Sequence, residues 1–312
     1  MTPRIPVIVG PTAGGKTDLS LLVAEMLAHR TGRPAEIISA DSVQIFRGLD
    51  IGSAKPTLLE CRGIPHHLIN IVEPEASYTV HQWLGDAERT IDDIRSRGHL
   101  PIVVGGTHLY IKALLDGLFD APQPDPALRA RLTARGLTAL RSELERVDPA
   151  AALRIHPNDL RRTVRALEVF HQTGTPISVL QSQWDRQHPR RPDLHVFALL
   201  WPTELINRRI NQRVGAMRER GLVEEVRRLS PRLGSQAREA LGYKQVLEAL
   251  AGRMSPDDAF EQIKIETRRF AKNQRTWLRR LSQHEYYTGL ALSEGPNPSH
   301  AAQIIGQCVG PE

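Results

Sequence analysis

The sequence predicts an α/β fold in which helices flank a parallel sheet, together with an all-helical insertion. Short apolar runs rich in β-branched residues alternate with longer segments of helical periodicity, which is typical of βαβ units. A wholly helical pattern then covers residues 127–187, and strand character returns at residues 194–200. With 40% hydrophobic and 24% charged residues, the 312-residue chain can build one large domain with an insertion, or two domains.

The first strand and helix surround a phosphate-binding loop. Residues 5–9 read Ile-Pro-Val-Ile-Val, as expected of a buried strand, and residues 19–27 carry apolar side chains at helical spacing. Between them, residues 10–17 match the P-loop pattern G-x-x-x-x-G-K-[ST] in the required strand–turn–helix context. The sequence therefore predicts a P-loop NTPase-like core that holds a polyphosphate.

In such a loop, backbone N–H groups turn toward an anion at the positive end of a helix dipole. Lys16 is expected to reach the terminal phosphates, and the Thr17 hydroxyl suits a magnesium ion. The pattern does not say which polyphosphate is bound. The loop consists of Gly10, Pro11, Thr12, Ala13, Gly14, Gly15, Lys16 and Thr17.

The second predicted strand, residues 36–39, ends in a short polar segment. Asp41 comes just after the strand, at the edge where α/β sheets bind ligands. This carboxylate is a candidate general base or a ligand for a metal or acceptor, and the alternative is a carboxylate that caps a helix or loop. Ser42, Val43 and Gln44 follow at the same edge.

A further predicted strand, residues 100–104, ends in Gly105-Gly106-Thr107, a tight turn that leads into a helix. Thr107 is expected on the ligand side of the sheet. The strand does not end in the acidic residue of a conventional Walker B magnesium site. This argues against an ATPase and favours a chemistry with lighter metal demands.

A proline-rich linker marks the start of the predicted helical insertion domain, residues 121–193. Asn158 is the expected N-cap of one of its helices. The basic residues on one side of that helix are Arg161, Arg162 and Arg165. Their spacing fits a solvated face and a track for a phosphate backbone equally well.

The chain then rejoins the sheet, so that residues 1–120 and 194–290 together form the predicted catalytic core. Thr203 begins a helix whose buried stripe has Arg213 on its edge. A cation that faces inward is costly unless an anion meets it. That anion is either a carboxylate of the core or the ligand of the phosphate loop.

The last long helix has a strong N-terminal signal, with Ser255 as N-cap and Pro256 at the first helical position. One of its faces is apolar, and a roughly opposite stripe is basic. Like charges three and four residues apart repel, and a polyanion along the stripe would offset that cost. The apolar face comprises Phe260, Ile263, Phe270, Trp277 and Leu281, and the stripe comprises Lys264, Arg268, Lys272, Arg275 and Arg279.

The formal net charge of +6 also favours a polyanionic partner such as nucleic acid. The alternative is a solvated basic surface with no partner, because charge alone does not identify one. The two cysteines, Cys61 and Cys308, form no metal-binding pattern and fit a reducing cytoplasm. With no signal-peptide pattern and no apolar run of membrane-spanning length, a cytoplasmic protein is expected. The tail, residues 291–312, is rich in Gly, Pro and Ser and is expected to be loose.

The assembled motifs resemble the tRNA dimethylallyltransferases, also called tRNA isopentenyltransferases, of the bacterial type. A P-loop is common to many families, but this combination is highly specific, and its segments follow in family order over nearly the whole chain. The matching segments are residues 10–17, 39–44, 50–56, 65–68, 105–110, 161–168, 241–244 and 271–277.

The resemblance implies transfer of a dimethylallyl group from dimethylallyl diphosphate to N6 of the adenosine 3′-adjacent to the anticodon in tRNAs, with release of diphosphate. Residues 10–17 would then grip the diphosphate of the prenyl donor. Lys16 and Arg213 would stabilise the leaving diphosphate, with Mg²⁺ near Thr17. Asp41 would act as general base, and Thr107 would hydrogen-bond near the amine.

The same resemblance implies that the anticodon stem-loop of tRNA is held between the helical insertion and the basic C-terminal helix. The adenine would leave its stack, as base-modifying enzymes require. We expect a monomer with no obligate protein partner and no membrane. The residues expected to contact tRNA are Asp41, Ser42, Val43, Gln44, Thr107, Arg161, Arg162, Arg165, Gly242, Tyr243, Lys244, Arg268, Lys272 and Arg275.

Four departures from the family pattern leave the expected catalytic residues in place. Gly14 stands where Ser is usual, Phe46 where Tyr is usual, Ser53 where Thr is usual and His108 where Gly is usual. Two other functions are open from the residues alone: a small-molecule P-loop kinase, and a prenyltransferase that acts on free adenine nucleotides. Neither explains the basic helices as well.

Overall fold

The computed structural model describes residues 3–119, 122–182 and 190–309. The chain divides into two compact units, one of residues up to Lys112 together with those from Arg191 onward, and one of residues from Ala113 to Arg190. The second unit begins earlier than the predicted insertion of residues 121–193, and the predicted boundary at residues 120 and 121 lies outside the described residues.

The first unit is built on a six-stranded sheet in the order β3-β2-β4-β1-β5-β6, with every pairing parallel. The predicted class, a parallel α/β sheet flanked by helices, is confirmed. Because all strands run in one direction, their carboxyl ends and the loops that follow meet at one edge. The strands are β1 Ile5–Val9, β2 Ala35–Ala40, β3 His66–His67, β4 Leu100–Gly105, β5 Leu194–Leu200 and β6 Tyr287–Ala291.

Helices connect and cover these strands, and β1, β2 and β4 are buried along their whole length. The helices of the described residues are α1 Lys16–Thr31, α2 Val80–Ser96, α3 His108–Asp116, α4 Pro126–Ala134, α5 Leu137–Val147, α6 Pro149–Arg154, α7 Leu160–Thr173, α8 Ile177–Leu180, α9 Thr203–Glu219, α10 Leu222–Leu229, α11 Ser235–Arg238, α12 Tyr243–Leu250, α13 Pro256–Leu281 and α14 Pro298–Val309. Within the described ranges, none of these helices combines the length and the apolarity needed to span a membrane.

The second unit is helical where it is described and has a hydrophobic core of its own. Leu140, Leu144 and Leu167 are fully buried within it. The expected N-cap at Asn158 is wrong by one position. The side chain of Asp159 accepts a hydrogen bond from the Arg162 N–H, so Asp159 caps α7. A carboxylate serves this position as well as an amide does, and spacing alone does not separate adjacent candidates.

The tail is packed, contrary to the expectation of a loose segment. Strand β6, residues 287–291, spans the predicted boundary between core and tail and adds a parallel edge strand beside β5, and within the tail α14 packs against α1 and β1. The reason is visible in the spacing of the small and apolar residues of α14, which fall on one helical face although a Gly- and Pro-rich stretch precedes them. The buried residues of α14 are Ala301, Ile304, Ile305 and Cys308.

Helix α13 begins as predicted, with Pro256 at its start and the Ser255 hydroxyl accepting a hydrogen bond from the Asp258 N–H. Its predicted apolar face is wrong at Phe270, which is 42% exposed. The buried face is also less apolar than expected, because it includes the polar residue Gln274, which is only 2% exposed.

Candidate active site

The carboxyl edge of the sheet brings together the segments that follow β1, β2 and β4. Gly105 at the end of β4 lies so close to β2 that a Cβ atom there would stand 2.1 Å from the carbonyl oxygen of Ala40. Only glycine allows this approach. The Thr107 N–H donates to the same carbonyl at 3.2 Å, which fixes the turn after β4 against the end of β2.

The phosphate loop has the backbone that its sequence requires. Gly15 adopts φ 83°, a left-handed conformation that favours glycine, and α1 begins at Lys16. The ammonium of Lys16 folds back over the loop and donates to the carbonyls of Gly10 at 3.2 Å and Pro11 at 2.9 Å. The Lys16 ammonium therefore lies over the phosphate loop, where it would contact a bound phosphate.

Gly14, which replaces the usual serine, has a local explanation. A Cβ at this position would lie 2.8 Å from the carbonyl oxygen of Pro11, and the indole Nε1 of Trp201 donates to the Gly14 carbonyl at 3.1 Å. Any side chain here would have to displace backbone. The glycine therefore allows Trp201 to pack closely beneath the loop.

Asp41 caps the turn that follows β2. Its Oδ1 accepts hydrogen bonds from the backbone N–H groups of Val43 at 2.8 Å and Gln44 at 3.2 Å. Its Oδ2 has no hydrogen-bond partner among the described residues. The structural role considered from the sequence is thus present, and one oxygen stays free for chemistry.

Thr107 links the two polar segments at this edge. Its hydroxyl oxygen accepts from the backbone N–H of Ser42 at 3.0 Å and donates to the Ser42 hydroxyl at 3.3 Å. The side chain of Gln44 accepts from the Ser39 hydroxyl at 3.1 Å. These contacts place Thr107 beside the segment that carries Asp41.

Lys16 and Arg213 each lie close enough to Asp41 for its charge to affect their pKa values. Burial lowers the pKa of Lys16 to about 8, the Arg213 charge acts in the same direction, and the Asp41 carboxylate opposes both. Burial also lowers the pKa of Arg213, again opposed by Asp41. Two cations in a poorly hydrated site repel each other, and an anion between them would relieve that cost.

Arg213 lies on α9 next to its buried stripe, as predicted. Its Nη2 donates to the carbonyl of Ser53 at 3.2 Å, and it forms no ion pair with a core carboxylate among the described residues. Sequence reasoning missed Arg209, one turn earlier, whose Nε donates to the Ala13 carbonyl at 2.8 Å and whose guanidinium lies 4.8 Å from the Trp201 ring centre. Because Arg209 and Arg213 are four residues apart, they lie on the same side of α9, and this spacing could have identified Arg209 from the sequence.

The loop that carries Ser53 is fixed by a buried carboxylate. Glu225 on α10 accepts from the N–H groups of Asp50 at 3.1 Å, Ile51 at 2.8 Å and Gly52 at 3.2 Å. It also accepts from the Tyr243 hydroxyl at 2.6 Å. This carboxylate therefore determines where Ser53 meets Arg213.

Tyr243, expected at the tRNA surface, is fully buried, so that expectation is wrong for its side chain in this structure. Burial, with the Glu225 charge, raises the pKa of its hydroxyl. Gly242 precedes it with φ 96°, and Lys244 is exposed and paired with Glu239 at 2.8 Å. The spacing of the motif did not separate Tyr243, which packs inward, from the exposed Lys244.

The three arginines of α7 are not equivalent. Arg161 and Arg162 are exposed, and Arg162 pairs with Asp159 at 2.6 Å. Arg165 instead holds the fully buried Glu168 and donates to the Pro122 carbonyl at 3.0 Å. Arg165 therefore has a structural role, and a track for phosphates on this helix would begin with the other two.

The basic stripe of α13 is partly packed against α9. Arg268 lies 3.4 Å from Asn211 Oδ1, and Arg275 donates to the Thr203 hydroxyl at 2.8 Å. Lys272 is exposed. Part of the stripe is thus already held in place by neutral partners, which leaves its positive charge uncompensated there.

Comparison with known proteins identifies the family. Residues 44–281 match the family model described as IPP transferase, and residues 3–70 match the model described as isopentenyl transferase. The tRNA dimethylallyltransferase of Thermomicrobium roseum is 44% identical over 92% of this chain and 87% of its own length. That of Geobacillus thermodenitrificans is 45% identical over 92% of this chain and 91% of its own.

Solved structures agree with these relatives. The full-length tRNA isopentenylpyrophosphate transferase of Bacillus halodurans superposes with a TM-score of 0.70 at 35% identity, covering 99% of this chain and 96% of that one. A eukaryotic dimethylallyltransferase acting on tRNA gives a TM-score of 0.77 at 28% identity, covering 94% and 75%. With a P-loop, Asp41 and Thr107 at one sheet edge and relatives matched over nearly its full length, the chain belongs to the IPP transferase family of tRNA-modifying enzymes.

Proposed function

We propose that the protein transfers a dimethylallyl group from dimethylallyl diphosphate to N6 of the adenosine 3′-adjacent to the anticodon in tRNAs, with release of diphosphate. The observation that carries this proposal is the meeting of the phosphate loop, Asp41 and Thr107 at one sheet edge, in a chain of the IPP transferase family. A diphosphate and an acceptor amine need such neighbouring sites.

The donor half of the site is the phosphate loop of residues 10–17 with Arg213. Backbone N–H groups at the start of α1 would bind the diphosphate. Lys16 and Arg213 would offset the negative charge that grows on the leaving diphosphate as its bond to the dimethylallyl carbon breaks. The lowered pKa values of both cations support this role, because burial disfavours the two positive charges and an anion between them would offset that cost.

The acceptor half is the segment after β2 with Thr107. The N6 nitrogen forms a bond to the dimethylallyl carbon, and its proton passes to the free Oδ2 of Asp41. Thr107 would hydrogen-bond near the amine, and Ser42, Val43 and Gln44 would line the space for the adenine. Because Oδ1 is held by two backbone N–H groups, the carboxylate presents Oδ2 in one fixed direction.

Prenyl diphosphate transferases typically use a divalent metal, and we propose Mg²⁺ near Thr17. The Thr17 hydroxyl has no hydrogen-bond partner among the described residues, and hydroxyl and phosphate oxygens are ligands that Mg²⁺ prefers. No group of three or more His, Cys, Asp and Glu among the described residues could hold a metal ion, so donor phosphates and water would supply most ligands. The ion would supply further neutralisation of the diphosphate charge.

For tRNA, we propose contacts with the exposed cations of α7 and α13 and with Gly242 and Lys244. Arg161, Arg162 and Lys272 are the best supported, because they are exposed. We further propose that the protein acts in the cytoplasm as a monomer.

Incubation with tRNA and labelled dimethylallyl diphosphate tests the proposal, with transfer of label to tRNA as the expected result. Parallel reactions contain AMP, or ATP with unlabelled acceptors. Transfer to AMP as fast as to tRNA would support a free-nucleotide prenyltransferase instead. Consumption of ATP without any use of the prenyl donor would support a kinase.

A further inference from the structure

Gln274 is a buried amide of α13 that contacts both loops of the phosphate-binding edge. Its Oε1 accepts from the Thr12 N–H at 2.8 Å, and its Nε2 donates to the Gly106 carbonyl at 2.9 Å. It is 2% exposed, on the helix face that also buries Ala271 and Leu278. One side chain therefore joins the loop after β1 to the turn after β4.

Gly106 is matched to this contact. A Cβ atom at Gly106 would lie 2.4 Å from Nε2 of Gln274, so a larger residue would displace the amide. One turn further along α13, the ring of Trp277 stacks on that of His108, with the ring centres 4.7 Å apart. Helix α13 thus contacts the site at two successive turns, through the polar amide of Gln274 and through the ring of Trp277.

The hydrogen bonds of Gln274 satisfy the N–H of the partly buried Thr12 and the carbonyl of the buried Gly106. Without the amide, the Thr12 N–H and the Gly106 carbonyl would lose their partners, and buried polar groups without partners are costly. The loop would then relax into other conformations. A phosphate loop binds through N–H groups held in fixed positions, so any freedom it gains must be lost again when a diphosphate binds.

We propose that Gln274 is a positioning residue, which holds the phosphate loop through Thr12 and the Thr107 turn through Gly106 at a fixed separation. The donor diphosphate and the groups that receive the acceptor are thereby kept in register. The role of Gln274 in aligning donor and acceptor rests on the proposed prenyl transfer. Its effect on diphosphate binding does not, because that binding requires only the phosphate loop.

Two variants test this role against a purely structural one. Gln274→Leu keeps the volume and removes both hydrogen bonds, and Gln274→Glu keeps an acceptor for Thr12 but faces Gly106 with a second oxygen. The matched control is Thr267→Val, which alters another buried polar side chain on the same face of α13. Among the described residues, the hydroxyl of Thr267 bonds only to its own helix, where it donates to the Ile263 carbonyl.

The primary measurement is calorimetric affinity for inorganic diphosphate, with thermal unfolding and tRNA affinity recorded for each variant. We expect Gln274→Leu to weaken diphosphate binding about tenfold, the size of a lost buried hydrogen bond, with tRNA affinity within about twofold of the parent. Thr267→Val should leave diphosphate affinity unchanged. The KM for the prenyl donor should rise in step with the diphosphate Kd.

Gln274→Glu adds a pH signature. Relative to the parent at each pH, its deficit should shrink as the pH falls from 8 to 5.5, because a protonated carboxyl can donate to Gly106 again. A Gln274→Leu protein that unfolds earlier but binds diphosphate like the parent, or a Glu variant with a constant deficit, would overturn the proposal. A parent that binds diphosphate but prenylates no tRNA refutes the proposed function, while the binding arm still decides the role of Gln274.

Discussion

The two carboxylate oxygens of Asp41 have different surroundings, and that difference sharpens the test of its role. Oδ1 caps the turn at Val43 and Gln44, whereas Oδ2 is free. Removing the whole carboxylate with alanine would also remove the cap, at a cost of about 0.5–2 kcal/mol. The informative change is therefore one that keeps the cap.

We predict that Asp41→Asn lowers kcat by about two or more orders of magnitude, because the amide oxygen still caps the turn but cannot accept the N6 proton. Affinity for tRNA and the thermal unfolding temperature should stay near those of the parent. Single-turnover transfer of label to tRNA measures the effect. Turnover within tenfold of the parent would assign Asp41 to capping alone.

The pKa of Lys16, about 8 in the free protein, predicts how donor affinity varies with pH. A bound diphosphate raises this pKa, so the contribution of Lys16 to binding is complete below pH 8. It is lost as the pH rises above 8 toward the pKa of the complex. We expect the affinity for inorganic diphosphate to fall between pH 7.5 and 9.5, by up to about tenfold per pH unit.

Calorimetric titration at several pH values measures this fall, with Lys16→Met as the control. The Met variant should bind weakly at every pH and show little change over the same range. An equally steep fall in the variant would show that another group is responsible.

Single residues also mark the limit of sequence reasoning at the site. The P-loop pattern identified Lys16 because spacing and chemistry coincide there. Arg209 and Gln274 escaped because their partners, the backbone of Ala13 and Thr12, lie roughly 200 or more positions away in sequence. Periodicity indicates which face of a helix is buried, but not which backbone groups of other segments that face will hydrogen-bond.

At the scale of elements, α13 combines a face that packs on the site with a stripe of cations. We predict that replacing Arg268, Lys272 and Arg275 with Ala flattens the salt dependence of tRNA binding, since each lost phosphate contact lowers the slope by about one. The affinity should be measured at several salt concentrations between about 50 and 200 mM.

A charge-matched control separates this stripe from the overall positive charge. Arg62, Arg89 and Arg253 each form a surface ion pair and do not belong to the basic stripe of α13. Their replacement with Ala should leave the slope nearly unchanged. Equal slopes for both triple variants would mean that the stripe is only solvated.

Helix α14 contributes to stability, although its sequence suggested a loose tail. Ile304 is fully buried, so we predict that Ile304→Ala lowers the free energy of unfolding by roughly 2–5 kcal/mol. The neighbouring, exposed Gln303 provides the control, because Gln303→Ala should change it by less than about 0.5 kcal/mol. Urea unfolding measures both, and indistinguishable midpoints would show that α14 is not part of the core.

At the scale of the whole molecule, the sequence predicted the parallel sheet and the loops that carry its chemistry. Strands β1 and β4 are apolar runs, β2 has an apolar centre, and each is followed by a polar or glycine-rich segment, so local pattern identified the edge where they meet. Tertiary packing determined the rest. The edge strand β6, the burial of Tyr243 and the inward role of Arg165 depend on partners that no local pattern contains.

The register of β1 has a consequence for how the protein is made. This strand emerges first from the ribosome, but it pairs with β4 and with β5, whose residues come more than 180 positions later. At a synthesis rate of about 10 residues per second, β1 waits roughly 20 s for its second neighbour. Gln274 lies 262 positions after its partner Thr12, so the contacts of the phosphate loop are complete only after α13 has been translated. A nascent chain would therefore bind diphosphate well only after α13 has emerged, long after the loop itself has been made.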